Sequence, residues 1–208
     1  MIPTPEQIEI WRGRDYSWSQ HSSFKWDPRQ WFDKYVLGLE EEPTPELIFG
    51  KAFADALEAG KPMAPMTLLS VVEQPFKVPF DGFTLIGYAD TFCGETKRKI
   101  GEFKTGVKPW DQARVDGHGQ LTLYAFMNYL ANGVRPEDVE MYLEWVPTKK
   151  VPRDNGDFSG HDYHIAFRDE EPLPIRFDTT RSMTDALMLG GEIQATRKMM
   201  EQYIESRV

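Results

Sequence analysis

The 208-residue chain is 40% hydrophobic and 27% charged, the balance of a globular protein with a single core, and it contains no apolar run near the roughly 20 residues needed to span a bilayer. Its one cysteine, Cys93, excludes an internal disulfide and any zinc or iron–sulfur site built from several thiolates, and with only four histidines a metal here would sit among carboxylate and carbonyl oxygens. The formal net charge of −9 weighs mildly against nucleic acid as a partner, although Lys97, Arg98, Lys99, Lys104, Lys108 and Arg114 gather in one stretch that reads equally well as a solvated face.

The segment from Met1 to Arg14 has acids and a Trp but no apolar core, so it does not read as a secretory signal, and a cytoplasmic protein without membrane contact is expected. Asp27-Pro28 reads as an N-cap followed by proline at the first helical position, opening a helix that carries Trp31, Phe32, Tyr35 and Val36 inward and ends at Gly38. Thr44-Pro45 opens a second helix the same way. It runs to about Glu58 with Leu47, Ile48, Ala52, Ala56 and Leu57 on one face, and Gly60 stops it.

From Ser70 the period changes to two. Val71 to Phe80 and Phe83 to Phe92 flank Asp81-Gly82, a strong hairpin signal, and a third strand follows over about Lys99 to Lys104. A helix over about Gly117 to Leu130 is closed by Asn132-Gly133, and Val139 to Val146 reads as a fourth strand. Val151 to Gly160 is a polar loop. Tyr163 to Phe167 and Leu173 to Phe177 form a candidate hairpin, and an amphipathic helix covers about Thr180 to Glu205. One domain over 1–208 is expected, with a core over about 20–146 and C-terminal additions over 147–208.

The chemistry centres on Glu102-Phe103-Lys104. Residues two apart on a strand share a face, so Glu102 and Lys104 project together while Phe103 enters the opposite layer. Asp90 lies at the end of the preceding strand, and antiparallel pairing would bring its carboxylate to Glu102. Two adjacent acids repel unless a cation stands between them. Gly101 and Gly106 leave room for a large ligand to approach the backbone. On its own, Glu-x-Lys is a common pattern whose default explanation is a surface ion pair.

Three stretches occur in order: Gly87-Tyr88-Ala89-Asp90, then Ile100-Gly101-Glu102-Phe103-Lys104-Thr105-Gly106, then Gln120-Leu121-Thr122-Leu123-Tyr124. Upstream lie Ser22-Ser23-Phe24 with Pro28, Tyr35-Val36-Leu37-Gly38, and the helix from Gly50 to Glu58. Over about residues 20–146 this arrangement resembles the PD-(D/E)XK nuclease superfamily, in particular its RecB-like exonuclease branch. That branch shows Gly-x-x-Asp, then Glu/Asp-x-Lys with Thr-Gly, then Gln-x-x-x-Tyr on the following helix.

The resemblance implies an α/β (α+β) fold with a central mixed sheet flanked by helices, here extended by a C-terminal hairpin and helix. It implies a DNA nuclease dependent on Mg2+ or Mn2+, an exonuclease of phage or bacterial recombination, repair or defence. Asp90, Glu102 and Lys104 would be catalytic. The metal would be held by Asp90, Glu102, the Phe103 carbonyl and Glu58, with Lys104 orienting the attacking water or neutralising charge on the phosphate. Gln120, Tyr124, Lys108 and Arg114 would contact the DNA strand. Two departures stand out: Ala54 occupies the position of a family histidine, and Asp27 stands where cluster-bearing members have a cysteine, so no iron–sulfur cluster is expected. The alternative is a nuclease-fold protein that binds nucleic acid or assembles without cleaving.

Overall fold

The computed structural model describes residues 2–153 and 162–208. Three elements absent from the sequence reading open the chain: helix α1 (Pro5–Arg12), a two-residue strand β1 (Tyr16–Ser17) and helix α2 (Trp18–Trp26). Thr4 caps α1 through a reciprocal pair with Gln7, with proline at the first helical position. Trp11 and Tyr16 from this region are wholly buried, so the N-terminal stretch is core material. Helix α3 (Pro28–Tyr35) starts at Asp27, whose carboxylate accepts the N–H groups of Arg29 and Gln30, and it buries Trp31 and Phe32. Helix α4 (Pro45–Glu58) starts at Thr44.

Strands β2 (Val71–Phe80) and β3 (Phe83–Phe92) form the expected hairpin. Both turn residues have left-handed backbones, Asp81 at φ 46° and Gly82 at φ 82°, which matches the turn to the twist of the strands. Strand β4 (Lys99–Gly106) is followed by a short helix α5 (Gln112–Asp116), also unread in the sequence, and by α6 (Gly119–Asn132), which Gly133 ends in a left-handed cap. Strand β5 (Glu140–Pro152) runs parallel to β4. Strands β6 (Tyr163–Phe167) and β7 (Ile175–Thr179) precede the long helix α7 (Met183–Glu205).

The sheet is mixed, with order β1-β3-β4-β5-β6 and with β2 added on β3 and β7 on β5. One expectation is corrected here: β6 and β7 do not pair with each other. Tyr163–Phe167 pairs antiparallel with Thr148–Pro152, and Ile175–Thr179 pairs antiparallel with Met141–Trp145. Strand β5 is long enough to serve both, so its far end extends through Pro152 where a loop was expected; positions 154–161, with the remainder of that loop and His161, lie outside the described residues.

Helix α6 packs over one side of the sheet with α7 and the N-terminal helices, burying Leu121, Tyr124, Met127, Ile193 and Met200 in the main cluster. A smaller cluster of Phe53, Leu57, Phe103, Tyr142 and Val146 seats α4 on the other side. Here the predicted face of α4 is partly wrong. Leu47 and Ile48 are 61% and 54% exposed and Ala52 is exposed as well, because α4 meets the sheet through Phe53 and Leu57 instead. No described helix is long and apolar enough to cross a membrane.

Candidate active site

A fork in the sheet creates the site. Strands β3 and β4 pair only at Thr91–Gly101 and Phe92–Ile100. Beyond Thr91, the edge of β3 that β4 has left is next taken up by β1, at Leu85 and Ile86. Backbone groups in the gap need other partners. The Asp90 carboxylate accepts the Phe103 N–H at 2.6 Å, and the Tyr88 carbonyl accepts the Tyr124 hydroxyl at 2.5 Å. The acids of the sequence motif are thus drawn together by the opening of the ladder as well as by strand parity.

At the fork lies a cleft of about 320 Å³, lined by α4 (Glu46, Leu47, Gly50, Ala54), by Glu73 of β2, by Asp90, by Glu102 to Thr105 of β4, and by Gln120 of α6. Glu102 is 1% exposed, and Lys104, 29% exposed on its side chain, bridges its Oε1 to the Gln120 Oε1, the latter at 3.1 Å. Gln120 in turn donates to the Tyr124 hydroxyl at 2.6 Å. Asp90, Glu102, Lys104 and Gln120 therefore form one connected group.

Burial raises the Asp90 carboxyl well above the ordinary range, and the Glu102 charge adds to it, opposed by Lys104 and the Phe103 N–H. Burial also raises Glu102, against the pull of Lys104. Burial alone would lower Lys104, but Glu102 and Asp90 more than offset it, so its ammonium is held charged. That arrangement suits an electrostatic part for the lysine and opposes a part as general base.

The donor set fits a hard divalent cation. Tyr124 and Asp90 stand beside Glu102, yet its buried Oε2 has no hydrogen-bond partner. An unpartnered carboxylate oxygen in a cleft is costly unless a cation satisfies it. Among the described residues no three His, Cys, Asp or Glu side chains close around one point. A cation would therefore rest on Asp90 and Glu102, completed by a main-chain oxygen such as that of Phe103 and by water, a pattern magnesium accepts.

Other expected site residues lie elsewhere. Glu58 is exposed near the end of α4, outside the cleft lining and close to Glu73. Tyr124 is 2% exposed, so it does not present its ring to a strand; it positions Gln120 and closes the gap at Tyr88. Lys108 and Arg114 fall outside the lining in the β4–α6 connection, where the Arg114 guanidinium stacks 3.8 Å from the Trp110 ring and donates to the Pro109 carbonyl. The basic run does not form one surface: Lys97 bonds Asn132 and Lys99 pairs with Glu140. Gly101 leaves no room for a ligand, because Tyr142 and Thr91 occupy the space a side chain would fill. Glu46 and Lys51 line the cleft unforeseen by the sequence reading, and so does Glu73. The left-handed backbone of Glu73, φ 52° in mid-strand, has no sequence signature.

The fold has known counterparts. A solved structure of a candidate exonuclease from Eubacterium rectale superposes with a TM-score of 0.60 over 100% of this chain and 88% of that one, at 10% sequence identity. The fold they share is a mixed α/β one, a central mixed sheet flanked by helices. A second solved structure, LHK-Exo in complex with dAMP, aligns at a TM-score of 0.45 and 13% identity, over 98% of this chain and 95% of that one. No family model matches the sequence, and no curated protein matches it.

Proposed function

We propose that this chain is a DNA nuclease that hydrolyses phosphodiester bonds with Mg2+ or Mn2+ held at Asp90 and Glu102. The observation that carries the reading is the buried acid pair at the β3–β4 fork, with Glu102 Oε2 unpartnered and Lys104 beside it. When bound, the cation would polarise the phosphate and activate water.

The chain's own groups supply the rest. Asp90 and Glu102 set the position of positive charge in a cleft where burial strengthens every electrostatic contact. Lys104, held charged and fixed by Glu102 and Gln120, orients the attacking water and stabilises negative charge growing on the phosphate. Gln120 keeps the lysine from folding back on the acids alone. Ala54 lines the cleft without a ligating atom, which keeps the site oxygen-rich. Exonuclease action, in phage or bacterial recombination, repair or defence, is the form of the activity that the resemblance of the motifs favours. The fold neighbour described as a candidate exonuclease agrees with it.

The test is digestion of labelled linear and covalently closed circular DNA, single- and double-stranded, with Mg2+, Mn2+ or EDTA. Linear DNA is expected to shorten progressively with metal and to survive in EDTA, while circles persist. Equal rates on circles and linear DNA would replace the exonuclease by an endonuclease. Binding without cleavage under every condition would overturn the enzyme reading.

A further inference from the structure

The motifs leave two acids of the cleft unexplained, Glu46, which is taken by Lys150 and the Tyr163 hydroxyl, and Glu73. Glu73 sits in β2 between Val72 and Gln74, which pair with Thr91 and Ala89, so it stands across from Asp90. Its backbone is left-handed in the middle of a strand, which is costly for a residue that carries a Cβ and is kept only where something else requires it. Glu73 also lines the cleft itself, whereas Glu58 does not.

Charge sharpens the problem. Glu73, Asp90 and Glu102 all face the cleft, and burial together with the charges of Glu58 and Glu102 pushes the Glu73 carboxyl up. Of the two lysines that line the cleft, Lys104 is already committed to Glu102 and Gln120, and Lys51 pairs with Asp55. Within this cluster Glu102 is 1% exposed, its Oε1 held by Lys104 and its buried Oε2 left without a hydrogen-bond partner. A like-charged trio and an unsatisfied buried oxygen are both relieved by the same addition, a positive ion.

We propose that Glu73 is a positioning residue for the divalent cation of the site, gripping its hydration shell from the β2 side, and that the left-handed backbone at this position serves to bring the carboxylate there. The inference rests on the reading of the cleft as a metal site. Glu73 acts through water because no three acids among the described residues close on one point. This suits magnesium, which keeps several waters and takes only one or two carboxylates directly.

The experiment measures Mn2+ binding by calorimetry and the melting temperature in EDTA and in Mn2+, for the wild type, Glu73→Gln, Glu73→Gly and Asp90→Asn. Glu73→Gln is expected to bind Mn2+ roughly tenfold to a hundredfold more weakly than wild type, the range for losing an outer partner of a metal. Glu73→Gly, which accepts the left-handed backbone freely, is expected to melt above wild type in EDTA and to gain less from Mn2+. A merely structural glutamate would give a lower melting temperature in EDTA for both variants, and that result overturns the inference. Wild-type affinity in Glu73→Gln alongside lost binding in Asp90→Asn also overturns it, while leaving the metal site in place. No Mn2+ binding by the wild type, or unchanged binding in Asp90→Asn, removes the metal site and this inference with it.

Discussion

The carboxylate of Asp90 accepts the main-chain N–H of Phe103 at 2.6 Å, two residues past the last β3–β4 ladder pair at Gly101. One side chain thus serves both the fold and the proposed chemistry. The two duties separate by substitution. Asp90→Asn keeps an acceptor for Phe103 and removes a buried charge, so it is expected to be at least as stable as wild type and to lose cleavage. Asp90→Ala is expected to lose cleavage as well and to fall below Asp90→Asn by about 1–3 kcal/mol, the cost of leaving a buried donor unmet. Urea denaturation and a digestion assay read both. Wild-type cleavage by Asp90→Asn would remove Asp90 from the site.

Lys104 and Glu102 form a second separable pair. Lys104→Met leaves the buried Glu102 carboxylate without its positive neighbour, a loss expected to cost about 3–5 kcal/mol. Adding Glu102→Gln is expected to restore most of that stability while cleavage stays absent. Additive losses in the double-mutant cycle would show that the two side chains are not energetically coupled.

The clearest parts of the fold to read from sequence were those with a local chemical cause. Asp27-Pro28, Thr44-Pro45, Asp81-Gly82 and Gly133 each announce a cap or turn within a few residues, and each stands where the structure has one. The Thr4…Gln7 capping box that opens α1 was equally local and was overlooked. The partner choice of β6 and β7 was not legible, since two short apolar runs do not reveal that a longer strand is available to both. Helical spacing in α4 could not distinguish a buried face from an exposed one, so Leu47 and Ile48 were placed inward. Within the site, strand parity foretold that Glu102 and Lys104 share a face, and the structure joins them to Gln120. Glu73 was hidden because its position depends on a backbone angle.

The Gln120–Tyr124 pair makes a prediction about positioning. Gln120→Ala releases Lys104 from its second anchor and is expected to slow cleavage by up to about 10²-fold, as small misplacements of reacting groups do. Tyr124→Phe loses the hydroxyl link to Tyr88, at about 0.5–1.5 kcal/mol of stability, with KM for DNA unchanged because the ring is buried. A raised KM in Tyr124→Phe, with normal stability, would mean that the tyrosine meets the substrate after all.

A last prediction concerns acid. His118, at the start of α6, is pushed down to about 3 by burial, with Lys104, Arg181 and Arg114 adding to the effect. The folded state favours its neutral form, so below a pH of about 6.5 the unfolded chain binds more protons. Its contribution to stability is full above that value and is lost as pH falls from there toward 3. His21 is lowered in the same direction, chiefly by burial. His118→Asn is therefore expected to reduce, not abolish, the loss of stability between pH 7 and pH 5 in urea melts. Asparagine also offers the N-cap bond that α6 lacks. An unchanged pH slope in the variant would show that His118 is protonated in the fold.

Strand β5 carries β4, β6 and β7 along its length, and that has a consequence for dissecting the protein. A chain cut after Pro152 would keep every acid of the cleft and still lose the cover of its sheet. Met141 to Trp145 would present bare main-chain donors and acceptors beside exposed apolar side chains, a template for another molecule's strand. The departure of α7 would at the same time uncover the side of α6 where Phe126 lies against Gly190. Such a fragment is expected to aggregate, so the smallest unit in which the cleft can be studied includes the C-terminal helix.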